Sequence, residues 1–258
     1  MDTWQAVILG FVQGVTEFLP VSSSGHLILV AYWLQAASAG LGFEIALHLG
    51  TLLAVLLYFW RDFLDILTGR RKGLLISLAV ATLVTGIIGY FVAPMRESLD
   101  SSSVVVWNLV IFGAILWLVD MWAANLPAKT LGTGQNAKAP SIWASIYLGI
   151  AQAIALVPGV SRSGIVITAA RSLNMNKVEA ARFAFLLSAP IIALTPMTFL
   201  LNRTEATLVI DSTFWIGLIV SAVVGMAAIA ILLSLIKRIS YGWFALYRAV
   251  LAIIILLV

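Results

Sequence analysis

The chain has 258 residues, of which 62% are hydrophobic and only 10% are charged, whereas soluble domains carry about 25% charged residues. This composition excludes a water-soluble globule and predicts a protein that crosses a bilayer several times. The formal net charge is +4, but no nucleic-acid motif accompanies it, so we expect no nucleic-acid partner. The absence of cysteine leaves serine, histidine, carboxylates, arginine or a hard metal ion for any chemistry.

The first apolar stretch is broken near its middle. No Lys or Arg precedes Arg61, and a cleavable signal peptide begins with a basic region, so we expect this stretch to remain in the mature protein. Pro20 and a run of serines interrupt it. The break predicts a re-entrant helical hairpin over about 3–40, which enters and leaves the membrane on one side.

Three apolar stretches follow this hairpin, each near the roughly 20 residues that a helix needs to cross hydrocarbon. They lie at about 43–60, 74–93 and 104–122. The first carries Glu44 and His48, which are costly in lipid unless they face a partner or water. A glycine-containing connector at 125–139 leads into the second half of the chain.

The second half repeats this order: a broken stretch at 141–180, then apolar stretches at 183–201, 213–236 and 243–258. Basic residues concentrate in the loops 61–72, 125–139 and 237–242, and this bias puts those loops in the cytoplasm. The second broken stretch must then be a hairpin entered from the cytoplasm, and the first hairpin and both termini face outward. Arg248, in the last stretch, is expected to snorkel to the interface.

Sliding the chain on itself by 139 residues aligns seven identities without a gap. They pair Leu9, Gly10, Gln13, Val21, Ser22, Ser24 and Gly25 with Leu148, Gly149, Gln152, Val160, Ser161, Ser163 and Gly164. We interpret this as two repeats of inverted topology, over 1–124 and 140–258. The predicted fold is an all-α integral membrane protein with six transmembrane helices and two re-entrant helical hairpins.

The first tip, residues 19–26, and the second tip, residues 157–164, are polar inside apolar sequence. An inverted repeat brings such broken segments together near the bilayer midplane. Serine hydroxyls, N–H groups at new helix starts and the Arg162 guanidinium are groups that bind phosphate. The predicted substrate-binding residues are Gln13, Ser22, Ser24, Gly25, Ser161, Ser163, Gly164 and His48.

Groups for acid–base and nucleophilic chemistry lie beside this cradle. Glu17 follows Gln13 by one helical turn, and Ser23 and His26 lie one turn apart beyond the break. A carboxylate, a hydroxyl and an imidazole opposite Arg162 are the parts of a phosphoryl-transfer site. The alternative is a purely structural polar network between the hairpins, but ionisable groups inside a membrane favour a functional role.

At these residues the chain resembles the undecaprenyl-diphosphate phosphatase family, also called the UppP/BacA or bacitracin-resistance family. Its first motif is similar to residues 13–26 and its second to residues 158–164. The resemblance implies hydrolysis of undecaprenyl diphosphate to the monophosphate in the bacterial inner membrane, which recycles the lipid carrier of cell-wall synthesis and gives bacitracin resistance. It also implies catalytic roles for Glu17, Ser23, His26 and Arg162.

The resemblance bears on the metal and the partners as well. The family's first motif carries two acidic residues. The second falls on Glu17, but the first falls on Gln13, so the sequence gives less support for a magnesium site with two carboxylates. We expect one divalent cation, Mg²⁺ or Ca²⁺, to bridge Glu17 and the diphosphate. His48 stands where the family carries glutamine. The family also suggests a site open to the outer face and a homodimer.

Two questions stay open on the sequence. Ser23 could attack the terminal phosphorus with Glu17 or His26 as its base, or either base could activate water directly. The competing function is a transporter of polyprenyl phosphate, because carriers also use inverted repeats with a midplane anion site. A nucleophile and a base beside the cradle favour the enzyme.

Overall fold

The computed structural model describes residues 1–35, 41–95, 101–129, 131, 138–201 and 210–257. These residues form eleven α-helices and one short 3₁₀ helix, and their only β pairing is two isolated bridges. The first half contains α1 (Thr3–Thr16), α2 (Ser23–Trp33), α3 (Leu41–Tyr58), α4 (Trp60–Leu67), α5 (Lys72–Val92), the 3₁₀ helix (Ala93–Met95) and α6 (Ser102–Ala124). The second contains α7 (Ile142–Ile154), α8 (Arg162–Ser172), α9 (Lys177–Leu201), α10 (Ser212–Leu235) and α11 (Gly242–Leu256).

Several of these helices are apolar enough for a membrane. By length and composition, α5 with its 3₁₀ extension, α6 and α10 qualify as spans among the described residues. The pair α3 and α4, bent by 75°, adds a fourth if it is counted as one span. Helices α7 and α11 are apolar but only 13 and 15 residues long. The chain is a helical multi-pass membrane protein, while the count of six spans with two re-entrant hairpins stays a prediction.

Both broken stretches consist of a helix, a break and a second helix. Helix α1 ends before Pro20, whose missing N–H cannot continue a helical ladder, and α8 begins 139 residues after α2. The second stretch is shorter than predicted, because α8 ends at Ser172 and residues 177–180 already belong to α9. Residues 36–40 of the first hairpin and most of the connector at 125–139 lie outside the described residues.

The two return helices start from serines with the same unusual backbone. Ser22 has a φ of 72° and Ser161 a φ of 73°, a region that residues other than glycine rarely occupy. At the second tip Gly159 has a φ of 86°, and a Cβ there would lie 2.5 Å from the carbonyl oxygen of Val105. The second tip therefore packs directly on the backbone of α6.

The packing places the first tip against the centre of the molecule. Helix α10 packs along α1 and α3, α5 packs along α7, and α6 packs along α11 and against α8. The largest apolar core includes Phe18 and Phe185, whose rings meet edge to face with centroids 5.4 Å apart. Because Phe18 follows Glu17 directly, this contact fixes the first tip against α9.

A buried ionic cluster ties the end of α8 to its neighbours. Asp120 accepts hydrogen bonds from Arg171 Nε at 3.0 Å, from Ser240 Oγ at 3.0 Å and from the Tyr241 N–H at 3.1 Å. Lys177 Nζ lies 3.7 Å from the same carboxylate. A buried charge is tolerated only when it is paired and hydrogen-bonded in this way, so the cluster anchors α8 at the end remote from its tip.

Candidate active site

A polar cavity of about 420 Å³ lies where the two breaks meet. Its wall combines the first break and α2, the start of α3 and the second tip. The predicted site residues in this wall are Glu17, Ser22, Ser23, Ser24, His48, Ser161 and Arg162. The fold therefore brings together residues up to 145 positions apart in the sequence.

Glu17 is the centre of the hydrogen bonding in this cavity. Its Oε2 accepts from Ser23 Oγ at 2.8 Å and from Gln13 Nε2 at 3.0 Å, while Oε1 accepts from an Arg162 amino group at 2.9 Å. The carboxylate side chain is only 5% exposed. Three donors offset the several kcal/mol that burying an unpaired carboxylate would cost.

Arg162 reaches from the second tip to the first. Its NH2 group donates to Glu17, whereas its NH1 group is buried and has no hydrogen-bond partner among the described residues. A guanidinium presents its donors as a planar fork that suits carboxylate and phosphate oxygens. Arg162 lines the cavity and its side chain is 20% exposed, so its positive charge faces the space that an anionic ligand would occupy.

Gln13 and His48 flank the carboxylate from α1 and α3. Gln13 Nε2 lies 3.3 Å from His48 Nδ1, and that nitrogen lies 4.0 Å from Glu17 Oε1. His48 belongs to the cavity wall, but Gln13 does not. Within the described chain Gln13 Oε1 is buried without a partner. Gln13 thus orients Glu17 and does not face the space that a ligand would occupy.

His26 is joined to neither Ser23 nor Glu17 by any described contact, contrary to the expectation from spacing. Its Nδ1 lies 2.7 Å from the Ser22 carbonyl oxygen, which can only accept, so Nδ1 carries the proton. Its Nε2 then accepts from the Tyr247 hydroxyl at 2.7 Å. The spacing misled because α2 lies between α1 and α11: Ser23 meets Glu17 beside α1, whereas His26 meets Tyr247 on α11.

The second tip uses two of its predicted anion-binding groups internally. Ser163 Oγ donates to the Leu19 carbonyl oxygen at 3.1 Å and so ties the second tip to the first. The Gly164 N–H donates to Ser161 Oγ at 3.2 Å, which caps α8. In this conformation neither group is available to an anion.

At the first tip the corresponding serine hydroxyls face the cavity and do not cap the following helix. Ser22 makes no side-chain cap bond to α2. Its hydroxyl lies 3.1 Å from that of Ser24, and both serines line the cavity. Gly25 lies outside the cavity wall, and a Cβ there would meet apolar side chains of α6 and α11 at 3.7 Å.

Arg248 shows that the snorkelling prediction is wrong. Its side chain is fully buried, and its guanidinium donates to the carbonyl oxygens of Gly159 at 3.0 Å and Val160 at 3.1 Å and to two α6 carbonyls at 2.9 Å. Asn108 Nδ2 adds a bond to the Pro158 carbonyl at 2.8 Å. A broken helix leaves carbonyls that only the protein can satisfy at that depth, and this need was the signal that could have identified Arg248.

Comparison with known proteins identifies the family of this chain. A family model described as "Bacitracin resistance protein BacA" matches residues 6–254. The chain belongs to the BacA family. Among its relatives, the "Undecaprenyl-diphosphatase" of Desulforudis audaxviator (strain MP104C) is 38% identical over 100% of this chain and 98% of the relative. Proteins of the same name from Caldicellulosiruptor bescii and Moorella thermoacetica are each 40% identical, over 99% and 100% of this chain and 97% and 98% of the relative.

This BacA-family site offers few ligands for a resident metal ion. The described residues contain no group of three or more His, Asp or Glu side chains placed to hold a cation. Two carboxylates, Glu17 and Glu44, line the cavity, and the oxygens of Glu17 already accept from Ser23, Gln13 and Arg162. Mg²⁺ and Ca²⁺ bind six or more oxygens, of which water and substrate phosphates can supply several. The cavity carboxylates alone do not complete such a shell, and the divalent cation stays a prediction.

Proposed function

We propose that this chain hydrolyses undecaprenyl diphosphate to undecaprenyl phosphate and inorganic phosphate. Relatives that cover nearly its whole length bear the name undecaprenyl-diphosphatase. The observation that carries the proposal is the 2.8 Å hydrogen bond from the Ser23 hydroxyl to Glu17, beside the unpartnered arm of Arg162. A nucleophile, a base and an anion clamp are thereby present in one cavity.

Arg162 supplies the charge that a diphosphate needs in a site of low dielectric. The Arg162 guanidinium would bind the terminal phosphate, and its bond to Glu17 would hold the phosphorus near Ser23. Donors that are already oriented stabilise the charge of the transition state without reorganising. The hydroxyls of Ser22 and Ser24 in the cavity wall add neutral donors.

In the first step Ser23 Oγ attacks the terminal phosphorus and Glu17 takes its proton. The bond from phosphorus to the bridging oxygen breaks, and undecaprenyl phosphate leaves and accepts that proton from Glu17. Glu17 then deprotonates a water molecule that attacks the phosphoserine, and Ser23 Oγ regains the proton as inorganic phosphate departs. Direct attack by water with Glu17 as base would use the same residues.

Glu17 is favoured over His26 as the base. Ser23 already donates to Glu17, whereas the His26 lone pair at Nε2 is occupied by the Tyr247 hydroxyl. The bonds of His26 to the Ser22 carbonyl and to Tyr247 support a positioning role, in which it holds the first tip against α11.

The function is tested by inorganic phosphate released from undecaprenyl diphosphate by the purified protein in detergent. We expect the wild type to release phosphate, Arg162→Ala to release almost none, and the exposed Arg238→Ala to match the wild type. The same assay with EDTA tests the divalent cation. No release under any metal condition from folded protein would overturn the proposal and lead to transport assays with polyprenyl phosphate.

The nucleophile is tested separately by trapping a phosphoenzyme. Rapid acid quench with β-³²P-labelled substrate should leave label on Ser23 and none on Ser23→Ala. Ser24→Ala is the matched control, because Ser24 lines the same cavity without a bond to Glu17. Near-normal turnover by Ser23→Ala would favour direct attack by water.

We further propose the inverted arrangement of six spans and two re-entrant hairpins in the bacterial inner membrane, with both termini and the cavity facing outward. The matching starts of α2 and α8, with equal φ at Ser22 and Ser161, support this proposal. The chain has no cysteine, so single cysteines can report accessibility. An impermeant maleimide applied to intact cells should label Asp211→Cys and spare Gly69→Cys; the reverse pattern would contradict the orientation. Homodimerisation stays a prediction.

A further inference from the structure

Two glycines that are related by the 139-residue offset have opposite surroundings. A Cβ on Gly225 of α10 would meet both the Ala54 and the Phe18 side chains at 3.0 Å, whereas a Cβ on Gly86 of α5 would meet no atom of the described residues within 4 Å. The helices behave in the same way: α10 packs closely along α3, but α5 touches α9 only sparsely. The space that is filled in one half is open in the other.

This open space is an apolar groove of about 780 Å³ between α4, α5 and α9. Its described wall carries no charged side chain, and its hydroxyls come from Thr82 and Tyr90. Along α5 the wall extends from Leu75 to Phe91, which is about 24 Å at about 1.5 Å per residue. The groove is therefore long, apolar and suited to a hydrocarbon chain.

The groove adjoins the polar cavity at one residue. Leu156 lines the cavity, and one of its methyl groups lies 3.3 Å from where a Cβ on Gly89 would stand. Gly89 belongs to the same turns of α5 as Gly86, Ile87 and Tyr90, which line the groove. Leu156 therefore lies between the cavity and α5, the helix that forms one wall of the groove.

We propose that this groove binds the polyisoprenoid tail of the diphosphate substrate, an inference that rests on the function proposed above. The contact between Leu156 and Gly89 connects the headgroup cavity to the groove, and the open face of Gly86 leaves room for the methyl branches of isoprene units. A tail held there makes apolar contacts that a short prenyl chain cannot reach. The groove thus determines the preference for long-chain substrates.

The decisive variant fills the groove at Gly86. Gly86→Phe should lower the ratio of kcat/KM for undecaprenyl diphosphate to that for geranyl diphosphate by about tenfold, mainly through KM for the long chain. Val223→Phe on α10 is the control, because it places the same aromatic side chain on an exposed face outside the groove. Its ratio should equal that of the wild type. An unchanged ratio in folded Gly86→Phe would overturn the proposal.

A second measurement covers the case in which Gly86→Phe does not fold. A prenyl diphosphate with a photoreactive diazirine near its tail end should crosslink wild-type protein on α5 or α9, between Leu83 and Tyr90 or at Leu186 to Leu194. Crosslinking mainly to α10 or α11 would overturn the groove. If the wild type hydrolyses neither substrate, the proposed function fails, and the crosslink position still decides where the tail binds.

Discussion

The two hairpin tips start their return helices with the same backbone geometry at Ser22 and Ser161, yet they hold different kinds of groups. At the first tip, reactive side chains bond to one another, as Ser23 does to Glu17. At the second tip, the backbone is held by the Arg248 guanidinium. The first tip therefore carries the proposed nucleophile, and the second tip carries Arg162 on a backbone that Arg248 supports.

The same division extends into the helices. Residues Gln13, Glu17 and His48 of the first half correspond at the 139-residue offset to Gln152, Leu156 and Leu187. Leucine stands at the position that corresponds to Glu17, so Gln152 has no carboxylate there. It donates instead to Thr85 Oγ1 at 3.2 Å. The two halves thus contribute to one composite site, because Glu17 lies in one half of the chain and Arg162 in the other.

The largest effect is expected from removing the charge of Glu17. Glu17→Gln keeps the shape of the side chain but cannot accept the Ser23 proton, so we expect phosphate release to fall by roughly 10²- to 10⁴-fold. Initial rates in detergent measure this. Glu179→Gln, outside the described cavity wall, is the control and should retain activity. Substantial turnover by Glu17→Gln would assign the base to another residue.

The hydrogen bonds by which Arg248 holds the second tip are tested by Arg248→Lys. An ammonium cannot reach the four carbonyl oxygens that the guanidinium now contacts, and each hydrogen bond to a charged group is worth about 1.5–3 kcal/mol. We expect a lower melting temperature and a rate reduced about tenfold. Arg238→Lys at an exposed position should change neither. An unaltered melting temperature for Arg248→Lys would mean that the tip is held by other contacts.

A smaller effect distinguishes positioning from catalysis at His26. Tyr247→Phe removes the hydroxyl bonded to Nε2, a bond worth about 1 kcal/mol, so we expect kcat to fall about fivefold with an unchanged pH profile. The measurement is kcat against pH, with the exposed Tyr58→Phe as control. A pH profile shifted by Tyr247→Phe would instead indicate that His26 takes part in proton transfer.

The smallest effect is expected from replacing the serines that precede α2 and α8, Ser22 and Ser161. Ser161→Ala loses the cap bond to the Gly164 N–H and should cost about 1 kcal/mol, whereas Ser22→Ala loses no cap bond and should cost less. Ser161→Gly should cost only a few tenths of a kcal/mol, since glycine tolerates the positive φ. Thermal unfolding in detergent ranks the three. Equal costs for the two alanine variants would show that the cap does not distinguish the tips.

Much of the site could be predicted from the sequence because polar residues inside apolar stretches need a reason to be there. The repeat at 139 residues and the proline break located both tips, and Glu17, Ser23 and Arg162 do line one cavity. Helical spacing predicted the contact of Gln13 with Glu17. It failed for His26, because two residues on one helix can face different neighbours once that helix is packed between α1 and α11.

The sequence by itself determined an all-helical membrane chain, its two breaks and the residue types at the tips, since these follow from composition, periodicity and local backbone chemistry. Only the tertiary structure decided that Arg162 meets Glu17, that Arg248 is buried against the second tip and that α5 and α9 leave a groove where α3 and α10 leave none. These are contacts between residues far apart in the chain, and they depend on how side-chain volumes fit between helices, which no local pattern records.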